Sequence, residues 1–222
     1  MVGSPAEGVT RFQVDHETRM LEERVYGETA VVLAAWRQLL ARLGLIGRDP
    51  SRYQGAGYGN VSARVGPFGD VGRGQRRFLV TGTQTGGRPR VTLEDFSLVE
   101  RYDILRNHVR SMGSVSPSSE SLTHGAIYDI APAARVVLHA HAPEIWRHAR
   151  ALGLPLTRVG VQNGTPEMAH EVQRLYREST LSGTGILAMG GHEDGVIAFG
   201  TTAAEAGETL VRHLARALAA SS

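Results

Sequence analysis

The chain contains no cysteine and no lysine. Lack of cysteine removes disulfides and thiol nucleophiles. Lack of lysine has a wider consequence. No side-chain amine can form an imine with a carbonyl, so Schiff-base aldol chemistry and pyridoxal-phosphate catalysis are excluded. All 24 basic side chains are therefore arginine. Any carbon–carbon bond chemistry here needs a metal as its electron sink. Long apolar runs are missing too, with nothing near the ~18–20 residues of a membrane span. The first residues, MVGSPAEGVTRF, lack the basic start and apolar centre of a secretory signal, so a cytoplasmic location is expected. Net charge is only +2, without a basic tail or polybasic run, which argues against nucleic-acid and membrane partners.

What is present fits one globular domain. At 222 residues and 41% hydrophobic content the chain can bury a full core. We expect a loose segment at 1–14 and a single domain at 15–222. An apolar stripe of Val31, Val32, Leu33, Trp36, Leu39, Leu40 and Leu43 predicts helix over about 15–45, with Asp15 as N-cap and a candidate break at Gly27. The alternation of Val61, Ala63 and Val65 predicts a strand after a glycine-rich turn, and FLVTGTQTGG another over 78–87. A short helix is expected over 91–100, capped by Thr92, and a strand over 102–109. Helix is expected again over 116–130, with Ser118 or Ser119 as N-cap. A strand at 135–141, a helix from Pro143 to about 152 and a strand at 157–161 follow. A helix over 165–178 opens with Thr165-Pro166. GILAMG and GVIAFG read as a strand pair, and 202–219 as a terminal helix. Strands and helices interleave, which is the α/β class.

The chemistry gathers around RVVLHAHAPEIW at 135–146. Residues at i and i+2 on a strand share a face. His139 and His141 therefore leave the sheet together, as the first two nitrogen ligands of a divalent metal must. A third histidine, His192, stands in the turn GGHEDG, where it suits a solvated or capping residue, or, with glycines nearby, a side chain that approaches a fixed point closely. Glu120 follows Pro117-Ser118-Ser119. A capping box would need serine or threonine where Pro117 stands, which leaves either a glutamate favourable to the helix dipole or an acid/base group. The polar turns at 59–62 (GNVS), 81–86 (TGTQTG) and 118–119 offer N–H groups and hydroxyls to an anion, and equally suit ordinary turns.

In this order, G-N-V-S, P-S-S-E, H-A-H and a histidine before a glycine turn, the chain resembles the class II aldolase/adducin family from about residue 15 onward. The resemblance implies a three-layer α/β fold, a central, mainly antiparallel sheet flanked by helices, usually assembled as a homotetramer. It implies zinc, or another divalent first-row metal, on His139, His141 and His192, with Glu120 as the acid/base residue. It further implies substrate phosphate on Asn60, Thr83, Ser118 and Ser119. The activity it implies is a metal-dependent lyase of the retro-aldol type, acting through an enediolate on a small phosphorylated ketose. Epimerisation, dehydration or decarboxylation of a related sugar phosphate or sugar acid remains open, as does a non-catalytic adducin-like scaffold. A cupin-type metal site is disfavoured by the long helices. The chain departs from the family pattern at Val159, where family aldolases carry a tyrosine, at Gln84 in the phosphate turn, and in the turn H-E-D-G.

Overall fold

The computed structural model describes residues 9–221. An eight-stranded sheet forms the centre. Its strands are β1 (Gln13–Thr18), β4 (Asn60–Arg64), β5 (Phe78–Thr81), β6 (Phe96–Asp103), β7 (His108–Gly113), β8 (Val136–His141), β9 (Ile186–Ala188) and β10 (Gly195–Gly200). A ribbon of β2 (Gly47–Arg48) and β3 (Gly57–Tyr58) stands apart. The sheet order is β1-β7-β6-β5-β4-β8-β10-β9, antiparallel at every step except the parallel pair β1–β7. The mainly antiparallel sheet implied by the family resemblance is therefore what the chain forms.

Helices cover both faces. Side-chain alternation along each inner strand sends one set up and the next down. Val136, Leu138 and Ala140 of β8 pack with α1 (Glu23–Arg42), α3 (Pro143–Arg147) and α6 (Ala203–Ala220). Val137, between them, faces α2 (Ser121–Ile130), α4 (Pro166–Glu178) and α5 (Leu181–Thr184). Because β8 is buried on both faces, Val136, Val137 and Leu138 each contribute about 1.5–3 kcal/mol. No helix among the described residues is long and apolar enough to cross a membrane.

Several expectations need correction. Strand β1 occupies the start of the expected 15–45 helix, and α1 begins only at Glu23. Every β1 side chain but one is exposed, so its pairing with β7, not an apolar pattern, holds it. Gly27 does not break α1 but lies buried within it, and Val31, at 66% exposed, is outside the core that Ala30, Leu33 and Leu40 enter. Of the expected loose segment, 1–8 lies outside the described residues, while Gln13 and Val14 belong to β1. Thr92 does cap, with Asp95 completing a capping box, but only the 3₁₀ turn Leu93–Asp95 follows. From Phe96 the chain enters β6, and the single strand expected over 102–109 is instead the end of β6, a turn at 104–107 and the start of β7. β5 ends at Thr81, and the 157–161 stretch makes no strand, only a bridge from Leu156 to Ala188 beside it. The helix expected from 116 starts at Ser121, and the one after Pro143 ends at Arg147. Thr165 caps α4 as its Thr-Pro opening suggests, and Thr202 caps α6 as well; they accept from Met168 and Glu205 N–H groups at 3.3 and 3.1 Å.

Candidate metal centre

His139 and His141 sit at the end of β8 on the face that α2 covers, both fully buried. Beyond them the chain leaves the sheet, with Pro143 at the first helical position of α3. The turn between β9 and β10 brings His192 to the same place. Its backbone is fixed by His192 N–H donating to Met189 O and Gly195 N–H to His192 O, at 3.1 and 3.0 Å. Gly195 faces His141 across the β8–β10 register. A Cβ there would lie 2.4 Å from Cδ2 of the His192 ring, so only glycine admits the imidazole.

One ring nitrogen from each of His139, His141 and His192 falls in a group whose members lie within 4.8 Å of one another. The Nε2 atoms of His141 and His192 are 3.1 Å apart. Two nitrogens on a tetrahedral ion with bonds of ~2.0–2.1 Å would be roughly 3.3–3.4 Å apart, so the pair is spaced for one metal. Burial, with the Arg52 guanidinium as a lesser cause, pushes the His141 pKa down to about 3. A neutral imidazole is the form that ligates. The donor set thus fits a divalent first-row ion.

Glu120, also fully buried, occupies the N-cap position of α2 without capping through its side chain. Its N–H donates to Ser118 Oγ at 3.3 Å, and Ser121 Oγ donates to Ser118 O at 2.7 Å. The carboxylate takes no part in capping and is held instead by Asn163, whose Nδ2 donates to Glu120 Oε1 at 2.7 Å. Asn163 precedes Gly164, which has a left-handed φ of 66° and packs against Ser119 O.

The four residues expected at phosphate divide into two places. Asn60 pairs with His139 across β4–β8, and its Nδ2 is 3.2 Å from His139 Nδ1. Thr83 N–H donates to Ser116 O at 2.9 Å, and Gly82 bridges Pro117, which brings the 82–83 turn beside the buried Ser118 and Ser119. Arg37, buried on α1, donates to Thr85 O and Gly86 O at 3.0 and 2.6 Å and so holds the same loop from below.

Sequence reasoning missed Asn163, Tyr53, Asp194 and the network behind the histidines. There, Ser62 Oγ meets His124 Nδ1 at 2.6 Å and Tyr128 Oη at 2.7 Å. Burial, and secondarily His139, lowers the His124 pKa to about 3. The Asn-Gly dipeptide at 163–164 was a turn signal, but nothing in it pointed to Glu120.

No curated protein matches the chain. Among solved structures it is similar to the L-fuculose-1-phosphate aldolase of Thermus thermophilus, with 21% identity, a TM-score of 0.62, and coverage of 86% of this chain and 91% of that one. A sugar-phosphate aldolase from Thermotoga maritima gives 18% identity and a TM-score of 0.63, over 86% and 92% of the two chains. The N-terminal class II aldolase domain of a Thermoplasma acidophilum protein gives 15% and 0.60, over 93% and 97%. At these identities the likeness is one of fold. The sequence itself carries the family's pattern through residues 49–218, and the chain belongs to the family of class II aldolase and adducin N-terminal domains.

Proposed function

We propose that the chain is a cytoplasmic, zinc-dependent (or other divalent-metal-dependent) lyase of the retro-aldol type acting on a small phosphorylated ketose, a single domain working as a homotetramer. The observation that carries this reading is the convergence of three buried imidazoles, His139, His141 and His192, in a chain without lysine. Their neutral nitrogens would hold the metal, which when bound supplies Lewis-acid stabilisation of an enediolate. Three protein ligands leave room for substrate oxygens.

The protein's own groups do the rest. Glu120 moves the proton to and from the carbon that carries the charge, and Asn163 keeps one carboxylate oxygen engaged so that the group has a fixed direction. Ser118, Ser119 and Thr83, gathered by the Gly82–Pro117 bridge, together with Asn60, would bind the phosphate and set the register of the ketose. Burial of the three histidines, Glu120, Asn60 and the two serines excludes water from the charge that develops.

A second reading keeps the site and changes the reaction to epimerisation, dehydration or decarboxylation. It is favoured by Val159, 74% exposed and without a polar group, where family aldolases place a tyrosine. The test is incubation of the zinc-loaded protein with phosphorylated ketoses, beginning with L-fuculose 1-phosphate, and product analysis by NMR. Appearance of a triose phosphate and an aldehyde, lost in Glu120→Gln while metal is retained, supports cleavage. An epimer or a dehydrated product moves the assignment to the second reading. Full turnover in Glu120→Gln removes the role given to Glu120.

A further inference from the structure

We infer that Tyr53 and Asp194 form a lock that positions His141 and His192 for the metal, an inference that rests on the metal-site reading above. Two loops distant in sequence meet here. Tyr53 and Gln54 lie consecutively in the left-handed region, at φ 48° and 57°, and Gly55 continues the turn at 73°. Asp194, two residues after His192, is left-handed as well, at φ 59°. Non-glycine residues keep such conformations only where their surroundings over-determine them.

What over-determines them is one another. Tyr53 Oη donates to Asp194 Oδ2 at 2.6 Å, and Arg52 Nη2 donates to Tyr53 Oη at 2.6 Å. Burial and the neighbouring Asp194 raise the phenol above its usual range, so it stays a donor. The backbone oxygen of Asp194 accepts from Ala142 N–H at 2.8 Å, tying the same residue to the end of β8.

The ring of Tyr53 is engaged as well. It stands edge-on to His141 at 4.5 Å between centroids, with Tyr58 at 5.4 Å and Arg52 over both tyrosine rings at 4.9 and 4.8 Å. Tyr53 thus fixes His141 through its ring and His192 through Asp194. The acidic residue that makes the turn H-E-D-G unusual has its partner in the 52–55 loop.

Partners that orient metal ligands typically matter by ~10–100-fold in affinity. The experiment is a Zn²⁺ titration against a competing chromophoric chelator, on the full chain stripped of metal. Wild type, Tyr53→Phe, Asp194→Asn and His192→Ala are compared, with Co²⁺ absorption spectra of each. Tyr53→Phe keeps the ring and removes only the hydroxyl. Expected is Zn²⁺ affinity lower by ~10–100-fold, a changed Co²⁺ d–d spectrum and an unchanged circular dichroism spectrum without metal. Should Tyr53→Phe fail to fold, the same loss in a folded Asp194→Asn carries the test. Wild-type affinity and spectrum in whichever variant folds overturn the lock while leaving the metal site standing. Failure of the wild type itself to bind Zn²⁺ or Co²⁺ overturns the metal site, and the lock with it.

Discussion

The side-chain amide of Asn163 donates to Oε1 of Glu120 at 2.7 Å, both residues being buried against the start of α2. Asn163→Leu keeps the volume and removes the donor. Loss of orientation at a proton-transfer group costs roughly 10–100-fold in rate. We expect that loss in the exchange of dihydroxyacetone phosphate hydroxymethyl protons with D₂O, followed by NMR, with bound metal unchanged. Exchange at the wild-type rate would show that Asn163 does not position Glu120.

Gly195 lies opposite His141 in the sheet register, and an added Cβ would lie 2.4 Å from the His192 ring. Gly195→Ala therefore displaces the ring of His192, the third imidazole of the proposed metal site, instead of backbone. The expected result is Zn²⁺ affinity lower by ~10-fold or more, measured by competition titration. The strand pairing of β10 keeps the fold. Retention of wild-type affinity would mean that the ring has another place to go.

His124 supplies a pH signature. Buried against Ser62 Oγ, it stays neutral in the folded protein down to about pH 3, whereas in the unfolded chain it takes a proton near pH ~6.5. Between those values the unfolded state binds more protons, so its contribution is present above pH ~6.5 and is lost as pH falls, by about 1.4 kcal/mol per pH unit. His141 behaves in the same way, with a folded pKa of about 3. Urea unfolding with chelator at pH 7, 6 and 5 should show a steeper loss for the wild type than for His124→Gln, by about one proton. Equal slopes would contradict a neutral buried His124.

How much of this was legible in the sequence depended on whether local pattern or distant pairing decides a residue's place. The strand ending in His139 and His141, the pair β9–β10 with His192 between, and the capped helices α4 and α6 follow from periodicity and caps in a few adjacent residues. β1 was illegible because its sequence, QVDHET, is polar and exposed and only its parallel pairing with β7 makes it a strand. On α1, Val31, Val32, Leu39 and Leu43 form an apolar stripe in sequence yet remain exposed, while Arg37 is buried because loop carbonyls at Thr85 and Gly86 receive it. At the candidate site, the imidazoles that converge were readable, His139 and His141 from their i, i+2 spacing and His192 from its glycine turn. Asn163, Tyr53 and Asp194 were not, since each acts through a contact made by a loop from elsewhere in the chain.

Elemental analysis of metal per chain, on protein purified without chelator and then exposed to Zn²⁺, beside His192→Ala, tests the three-histidine metal site. About one first-row metal per wild-type chain is expected, as a three-histidine site holds, and its loss in the variant. Wild-type protein that holds no metal after exposure to Zn²⁺, or a His192→Ala variant that holds as much as the wild type, would contradict it.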